Sequence, residues 1–304
     1  MSDALQKELD DLEKKGLAMR RKVHPSGHVE RVQDETDDFM MMFNRTTNQF
    51  CWGEIWTRPG LTVKQRTALS LSITAANGQT GAVEMHTRTA LKAGWTRQEI
   101  GEIFLHVYVY AGVYGCLNGF MTAKKVFEEI DLAEGATLAG KGRAKAARST
   151  TPTRTHTGKS KGGKAGKQKS ALAERGLEIR RELIGPENID AWQKRYAGDP
   201  FMNMFFDFTH KFCFGAIWDR PALDHKMRDI LTLGLAAGMG QEGAVRRHLR
   251  SALRIGLTRK QIGEIFLHVY IYAGCYNSLR SFLAADEEFK IIDAEKKQAR
   301  KRKA

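Results

Sequence analysis

The chain has 304 residues, 42% of them apolar, and a formal net charge of +14. That length suits about two domains, each able to bury a core. Four cysteines (Cys51, Cys116, Cys213, Cys275), with no CxxC and no metal-ligand spacing, argue against a disulfide framework and for reduced thiols in a cytoplasmic protein. The polar, acidic start MSDALQKELDDLEKK does not read as a secretory signal, and no uninterrupted apolar run approaches the roughly 18 residues of a membrane span.

Residues 3–22 are expected to form a helix with an apolar stripe at Leu5, Leu9, Leu12, Leu17 and Met19. Its motif GLAMRR (Gly16–Arg21) returns as GLEIRR (Gly176–Arg181), 160 positions later. Loops near Pro25 and Pro186 follow, the first holding His28-Val29-Glu30-Arg31. Phe39-Met40-Met41-Met42-Phe43 and Phe201-Met202-Asn203-Met204-Phe205 then open apolar stretches at helical spacing, running to Trp52 and Phe214; these suit a core or interface helix better than a methionine metal site. A turn comes next in both halves, as Trp56-Thr57-Arg58-Pro59 and Trp218-Asp219-Arg220-Pro221, where proline holds each arginine extended at a helix corner.

Thr62 and Asp224 are N-cap candidates for apolar helices over Lys64–Asn77 and Lys226–Met239, stopped by Gly78 and Gly240. A helix bearing His86 or His248 follows and stops at Gly94 or Gly256. The longest repeated segment comes after it. Thr96–Gly112, TRQEIGEIFLHVYVYAG, recurs 162 positions later as Thr258–Gly274 and differs only at Gln98/Lys260, Glu99/Gln261 and Val109/Ile271. Threonine with an acid or amide three residues on gives each copy a capping-box start. Gly112 and Gly274 are potential kinks before last helices at Tyr114–Ile130 and Tyr276–Ile292. No stretch alternates with period two, so each repeat reads as all-α, and function is to be read repeat by repeat.

The excess positive charge sits outside the repeats. Residues 135–173 carry ten Lys or Arg and no acid, and Lys296–Lys303 adds six more basic residues. The expected division is a first repeat over 1–134, a disordered basic linker over 135–170, a second repeat over 171–295 and a basic tail over 296–304. Linker and tail read as a solubilising tether or as a weak polyanion-binding arm.

Among polar residues held at matching positions, His86/His248 stand out because their neighbours diverge, Glu84-Met85 against Arg246-Arg247. An imidazole, with an ordinary pKa near 6.5, suits proton transfer; a core or capping role is the alternative. His106 and His268 lie in apolar surroundings that favour a packed, hydrogen-bonded ring. Glu102 and Glu264 stand four residues before them, either orienting a catalytic imidazole or making an ordinary side-chain contact. Arg58 and Arg220 suit a substrate carboxylate or a structural role at the corner. No phosphate-cradling glycine loop, Ser-His-Asp order or metal set is evident.

WGEIWTRPGL (Trp52–Leu61), the helix after it, the histidine segment around His86, the GxTxxEIxE helix start and Tyr110-Ala111-Gly112 resemble the carboxymuconolactone decarboxylase family, within the alkylhydroperoxidase D-like superfamily. The resemblance covers about residues 16–131 and 176–293. It implies two tandem all-α helical-bundle repeats and cofactor-free decarboxylation of a small anionic lactone such as 4-carboxymuconolactone, in the β-ketoadipate route of aromatic-acid catabolism. It further implies proton transfer by His86 and His248, with Glu102 and Glu264 as further catalytic candidates. Arg58 and Arg220 would bind carboxylate, joined by His106, His268, Trp56 and Trp218 in substrate binding. Gln79/Ala82 and Gln241/Ala244 stand where the peroxidase branch carries CxxC, which argues against thiol peroxidase activity. Tyr114-Gly115-Cys116-Leu117-Asn118 and Tyr276-Asn277-Ser278-Leu279-Arg280 depart from the family's small-residue Asn-His stretch, leaving a related lactone or β-keto acid as an alternative substrate. Single-repeat relatives form hexameric rings, so three chains of this length would complete a pseudo-hexamer. A non-catalytic duplicated helical scaffold is the reading from another class.

Overall fold

A computed structural model of the chain describes residues 2–139 and 170–303; the linker expected over 135–170 lies almost wholly outside them, and so do the expectations of disorder and tethering attached to it. Among the described residues every regular element is a helix. The first repeat runs α1 (Asp3–Val23), α2 (His28–Asp34), α3 (Asp38–Thr46), the π-helix π1 (Thr47–Ile55), α4 (Val63–Ala76), α5 (Thr80–Lys92) and α6 (Arg97–Ala139). The second runs α7 (Ala171–Ile184), α8 (Pro186–Arg195), α9 (Pro200–Phe208), π2 (Thr209–Trp218), α10 (His225–Gly238), α11 (Glu242–Arg254), α12 (Arg259–Ala273) and α13 (Cys275–Lys303).

The expected punctuation is visible in the backbone. Thr62 and Gln65 form a capping box at α4, as do Thr258 and Gln261 at α12. Gly112 breaks α6 with φ 81°, and Gly274 separates α12 from α13 with φ 90°, conformations that glycine adopts without a Cβ penalty. Three features differ from the sequence expectation. The stretches near Pro25 and Pro186 hold short helices rather than loops, because Gly27 turns the chain at φ 76° and Pro186 presets the first turn of α8. The apolar runs ending at Ile55 and Trp218 are wound as π-helix, Trp56 N–H bonding back five residues to Cys51 O at 3.0 Å. The start of the basic tail is helical, α13 continuing to Lys303 with its last turns in solvent.

Helix α6 alone, among the described residues, is long and apolar enough to cross a membrane, with a mean hydropathy of 1.4 over its most apolar window. The break at Gly112 and the buried Glu102 and His106 on it belong instead to a core helix. Helices α4, α6, α10 and α12 pack together at the centre, and one continuous apolar core takes Leu69, Leu71, Ile103 and Phe104 from the first repeat with Leu231, Leu233, Ile265 and Phe266 from the second. The two repeats therefore share a single interior.

Each leading helix lies tightly against its π-helix. A Cβ on Gly16 would stand 1.8 Å from the Asn48 carbonyl oxygen, and one on Gly176 would stand 1.8 Å from that of His210. The recurrence of glycine in GLAMRR and GLEIRR thus has a steric cause. Gly176→Ala is expected to force α7 away from π2 and to cost about 1–3 kcal/mol, read as a lower midpoint in chemical denaturation.

Candidate functional site

Two related sites lie where the repeats meet, and each is built from both. In the first, π1 supplies Trp52, α4 supplies Arg66 and Ser70, and α12 of the other repeat supplies Glu264, His268 and Tyr272. Trp56 Nε1–H donates to Tyr272 Oη at 3.1 Å, and His268 Nε2 pairs with Ser70 Oγ at 2.8 Å. The second site mirrors this arrangement: Trp218 Nε1–H donates to Tyr110 Oη at 3.1 Å, and His106 Nε2 pairs with Thr232 Oγ1 at 2.8 Å. The expectation that each repeat carries its own site is corrected: the helix TRQEIGEIFLHVYVYAG of one repeat completes the site of the other.

The carboxylates hold this arrangement together. Glu264 accepts from Arg58 Nε at 3.0 Å and from Arg66 Nη2 at 3.0 Å. Glu102 accepts from Arg220 Nε at 2.7 Å and faces Arg228 at 3.7 Å. Arg66 and Arg228 are fully buried, and burial lowers both guanidinium pKa values against the opposing pull of the carboxylate. Glu102 and Glu264 are thus engaged by arginines of the opposite repeat rather than by the histidines four residues along, because the helix turns the two side chains toward different neighbours. Arg58 and Arg220, proposed from sequence for a substrate carboxylate, already hold a protein one. His106 and His268 are fully buried, and desolvation drives their pKa values well below 6.5.

A cavity of about 1010 Å³ opens in the second repeat, between α7–α9, π2 and α11, with Tyr108 to Tyr110 of α6 at its edge. Its wall includes His248, Tyr110, Trp218, Cys213, Ser251 and four arginines (Arg180, Arg195, Arg247, Arg250), with no Asp or Glu. Arg180 is the unusual member. It is 5% exposed, lies over the rings of Trp192, Phe206 and Phe214, and contacts His210 Nε2 at 2.9 Å; its Nε has no partner. Desolvation lowers its pKa to about 10, so it keeps its charge at neutral pH. His210 is pushed down to about 4, by desolvation first and then by that guanidinium, and so faces it as a neutral ring.

Behind the wall of this cavity His248 Nδ1 lies 3.4 Å from Oδ1 of the fully buried Asp229, and Asp229 Oδ2 accepts from Ser251 Oγ at 2.6 Å. His86, its counterpart, is 1% exposed with both ring nitrogens unpartnered, and burial lowers its pKa to about 4. Three of the cysteines are buried thiols as expected, Cys51 and Cys213 being pushed up to about 12 by burial, whereas Cys275 is exposed. Arg20 and Arg180 recur within GLAMRR and GLEIRR, and Arg66 and Arg228 also stand at matching positions, yet the sequence pattern alone assigns them no role. It was blind to Asp229, because Thr67 stands at that place in the first repeat.

A model of the carboxymuconolactone decarboxylase family matches the chain twice, over residues 43–125 and 204–287. The chain belongs to that family. A 4-carboxymuconolactone decarboxylase of Acinetobacter baylyi is 32% identical over 120 residues, 40% of this chain and 90% of the relative. A nitrosuccinic acid decarboxylase of Metarhizium robertsii is 32% identical over 129 residues, 42% of this chain and 88% of the relative. Each therefore corresponds in length to about one repeat. The family membership and these two likenesses support a decarboxylase-like, carboxy-lyase activity and leave the substrate open.

The buried neutral histidines make the fold sensitive to acid. An unfolded histidine titrates near 6.5, whereas His86 and His24 titrate at about 4 and about 3 in the folded chain, so between those values the unfolded state binds more protons. Their contribution is complete above pH 6.5 and is lost as pH falls toward 4, each ring removing up to roughly 3 kcal/mol. The melting temperature is expected to fall over that window, less steeply in His24→Ile.

Proposed function

We propose that this protein is a cofactor-independent carboxy-lyase that decarboxylates a small anionic lactone or similarly activated acid, 4-carboxymuconolactone being the first candidate. The observation that carries this reading is Arg180: a buried cation without a carboxylate partner, on the wall of an acid-free cavity that also holds His248. A buried charge of this kind is costly unless an anion meets it. A substrate carboxylate does so, and Arg195 and Arg247 on the wall suit a second one, whereas Arg250 is already held by Glu288 and Glu295. Decarboxylation of a vinylogous β-keto acid breaks the carbon–carboxylate bond and sends the electron pair into the lactone carbonyl. The chain then needs only to seat the anion, stabilise the enolate and protonate carbon. Arg180 and its neighbours serve the first two tasks, and His248 takes a proton from solvent onto Nε2 and passes it to carbon, returning to the neutral ring. The nitro group in the second relative's named substrate withdraws electrons as a carbonyl does, which supports a shared reaction logic with different substrates.

We also propose that chains associate through their exposed apolar faces. Phe39, Met42 and Phe43 on α3 and Phe201, Met204 and Phe205 on α9 stand in solvent at matching positions of the two repeats, as do Tyr114 and Tyr276. Two equivalent apolar faces per chain suit a closed ring of three chains, a pseudo-hexamer. Sedimentation at micromolar concentration should give a trimer, and Phe43→Glu with Phe205→Glu should shift it toward monomer. A wild-type monomer would remove this proposal.

For the chemistry, purified protein incubated with 4-carboxymuconolactone should release carbon dioxide. His248→Ala should lower kcat at least a hundredfold, and Arg180→Gln should raise KM at least tenfold. Absence of turnover by the wild type rules out that lactone. Unchanged KM in Arg180→Gln rules out Arg180 as the carboxylate anchor.

A further inference from the structure

The two sites descend from one sequence, yet their imidazoles now sit in different chemistry. In the second repeat Asp229 is fully buried and holds two donors, Ser251 Oγ at 2.6 Å and His248 Nδ1 at 3.4 Å. A carboxylate only accepts, so the proton of a neutral His248 is held on Nδ1 and Nε2 is the free nitrogen of a ring that lines the cavity. The His248 side chain retains 17% of its exposure, and the Tyr110 ring meets it edge-on at 5.7 Å.

In the first repeat the aromatic contact is kept, Tyr272 meeting His86 edge-on at 5.3 Å, but the polar partners of the ring are changed. Thr67 replaces Asp229, and its hydroxyl turns back to Lys64 O at 2.8 Å. Thr89 replaces Ser251 and donates to the carbonyl of His86 at 3.0 Å. Neither side chain is bonded to the ring nitrogens of His86. The approach is also filled. His24 stands where the second repeat has Ile184, a residue of the cavity wall; its ring is stacked on His28 at 4.4 Å and meets Trp52 at 4.9 Å. Lys92 clamps that corner by donating to Arg21 O at 2.9 Å and to the carbonyl of His24. The corresponding Arg254 instead pairs with the side chain of Glu187 at 2.9 Å, beside Gly185 at the junction of α7 and α8.

We infer that the duplication has divided the work: proton transfer is confined to His248, with Asp229 as its positioning residue, and the first repeat's copy is a closed site kept for packing. The part concerning turnover rests on the carboxy-lyase reading above; the difference between the two imidazoles does not. The burial that lowers the pKa of His86 to about 4 agrees with a ring that stays neutral and dry.

Two measurements on the full chain decide the matter without any substrate. With diethyl pyrocarbonate at neutral pH and peptide mapping, His248 should be modified at least tenfold faster than His86; equal rates, or faster modification of His86, overturn the closed site. In the nitrogen-15 spectrum His248 should be the Nδ1–H tautomer and should lose that preference in Asp229→Asn while the circular dichroism is unchanged. A tautomer indifferent to Asp229→Asn overturns the positioning role. With 4-carboxymuconolactone as the probe, Asp229→Asn should lower kcat at least tenfold with KM within twofold, and Asp229→Glu should recover part of the loss. A change in KM alone also overturns that role. Failure of the wild type to turn over this lactone counts against that substrate assignment, and the modification and tautomer measurements still decide the asymmetry.

Discussion

The architecture depends on two buried arginines that neither repeat can neutralise alone. Arg66 sits in the first repeat and needs Glu264; Arg228 sits in the second and faces Glu102. An isolated guanidinium in a dry interior is prohibitively costly, and removing one partner from a buried pair typically costs about 3–5 kcal/mol. The buried arginine of each repeat is therefore neutralised by the other's α6 or α12, while α4 and α10 pack against both. The cross-repeat bonds from tryptophan to tyrosine and from histidine to serine or threonine follow from that placement, since they lie on the same helices one and two turns further along. The ion pairs select the partner and the shared apolar core supplies most of the stability.

This interlocking explains how one copy can lose chemistry without being lost itself. On the division of work inferred above, a first repeat that protonates nothing still presents Glu102, His106 and Tyr110 to the second site. Those residues lie on the segment that has changed least between the copies. The residues free to drift are those that serve only their own imidazole, and drift is seen there: Thr67 against Asp229, Thr89 against Ser251, His24 against Ile184.

Helix boundaries, capping boxes and glycine stops were legible in the sequence because they are local. Thr96 with Glu99 or Thr258 with Gln261 needs only four residues to declare itself. The family resemblance was legible for a similar reason, as a run of punctuated motifs. The composite sites were not, since a duplicated sequence looks the same whether each helix completes its own repeat or its neighbour. The π-helices were also hidden: apolar spacing does not distinguish hydrogen bonds to the fourth residue back from those to the fifth. Asp229 lay beyond reach because comparing repeats highlights what both retain, and its importance is that only one repeat has it.

The same distinction bears on which arginine meets the substrate. Arg220 presents its Nε and one Nη nitrogen to the Glu102 carboxylate at 2.7 and 2.6 Å, so an incoming anion would meet a guanidinium already neutralised and would be repelled by the glutamate behind it. Arg180 has the opposite surroundings: aromatic rings, a neutral imidazole and an open cavity. In a low-dielectric pocket its field is weakly screened, and aromatic faces steady the planar cation without consuming its hydrogen-bond donors. The repeated Arg-Pro corner advertises itself in the sequence, yet its charge is spent on the fold. The charge left for an anion comes from the leading helix, where a retained arginine drew attention only as part of a recurring GLxxRR.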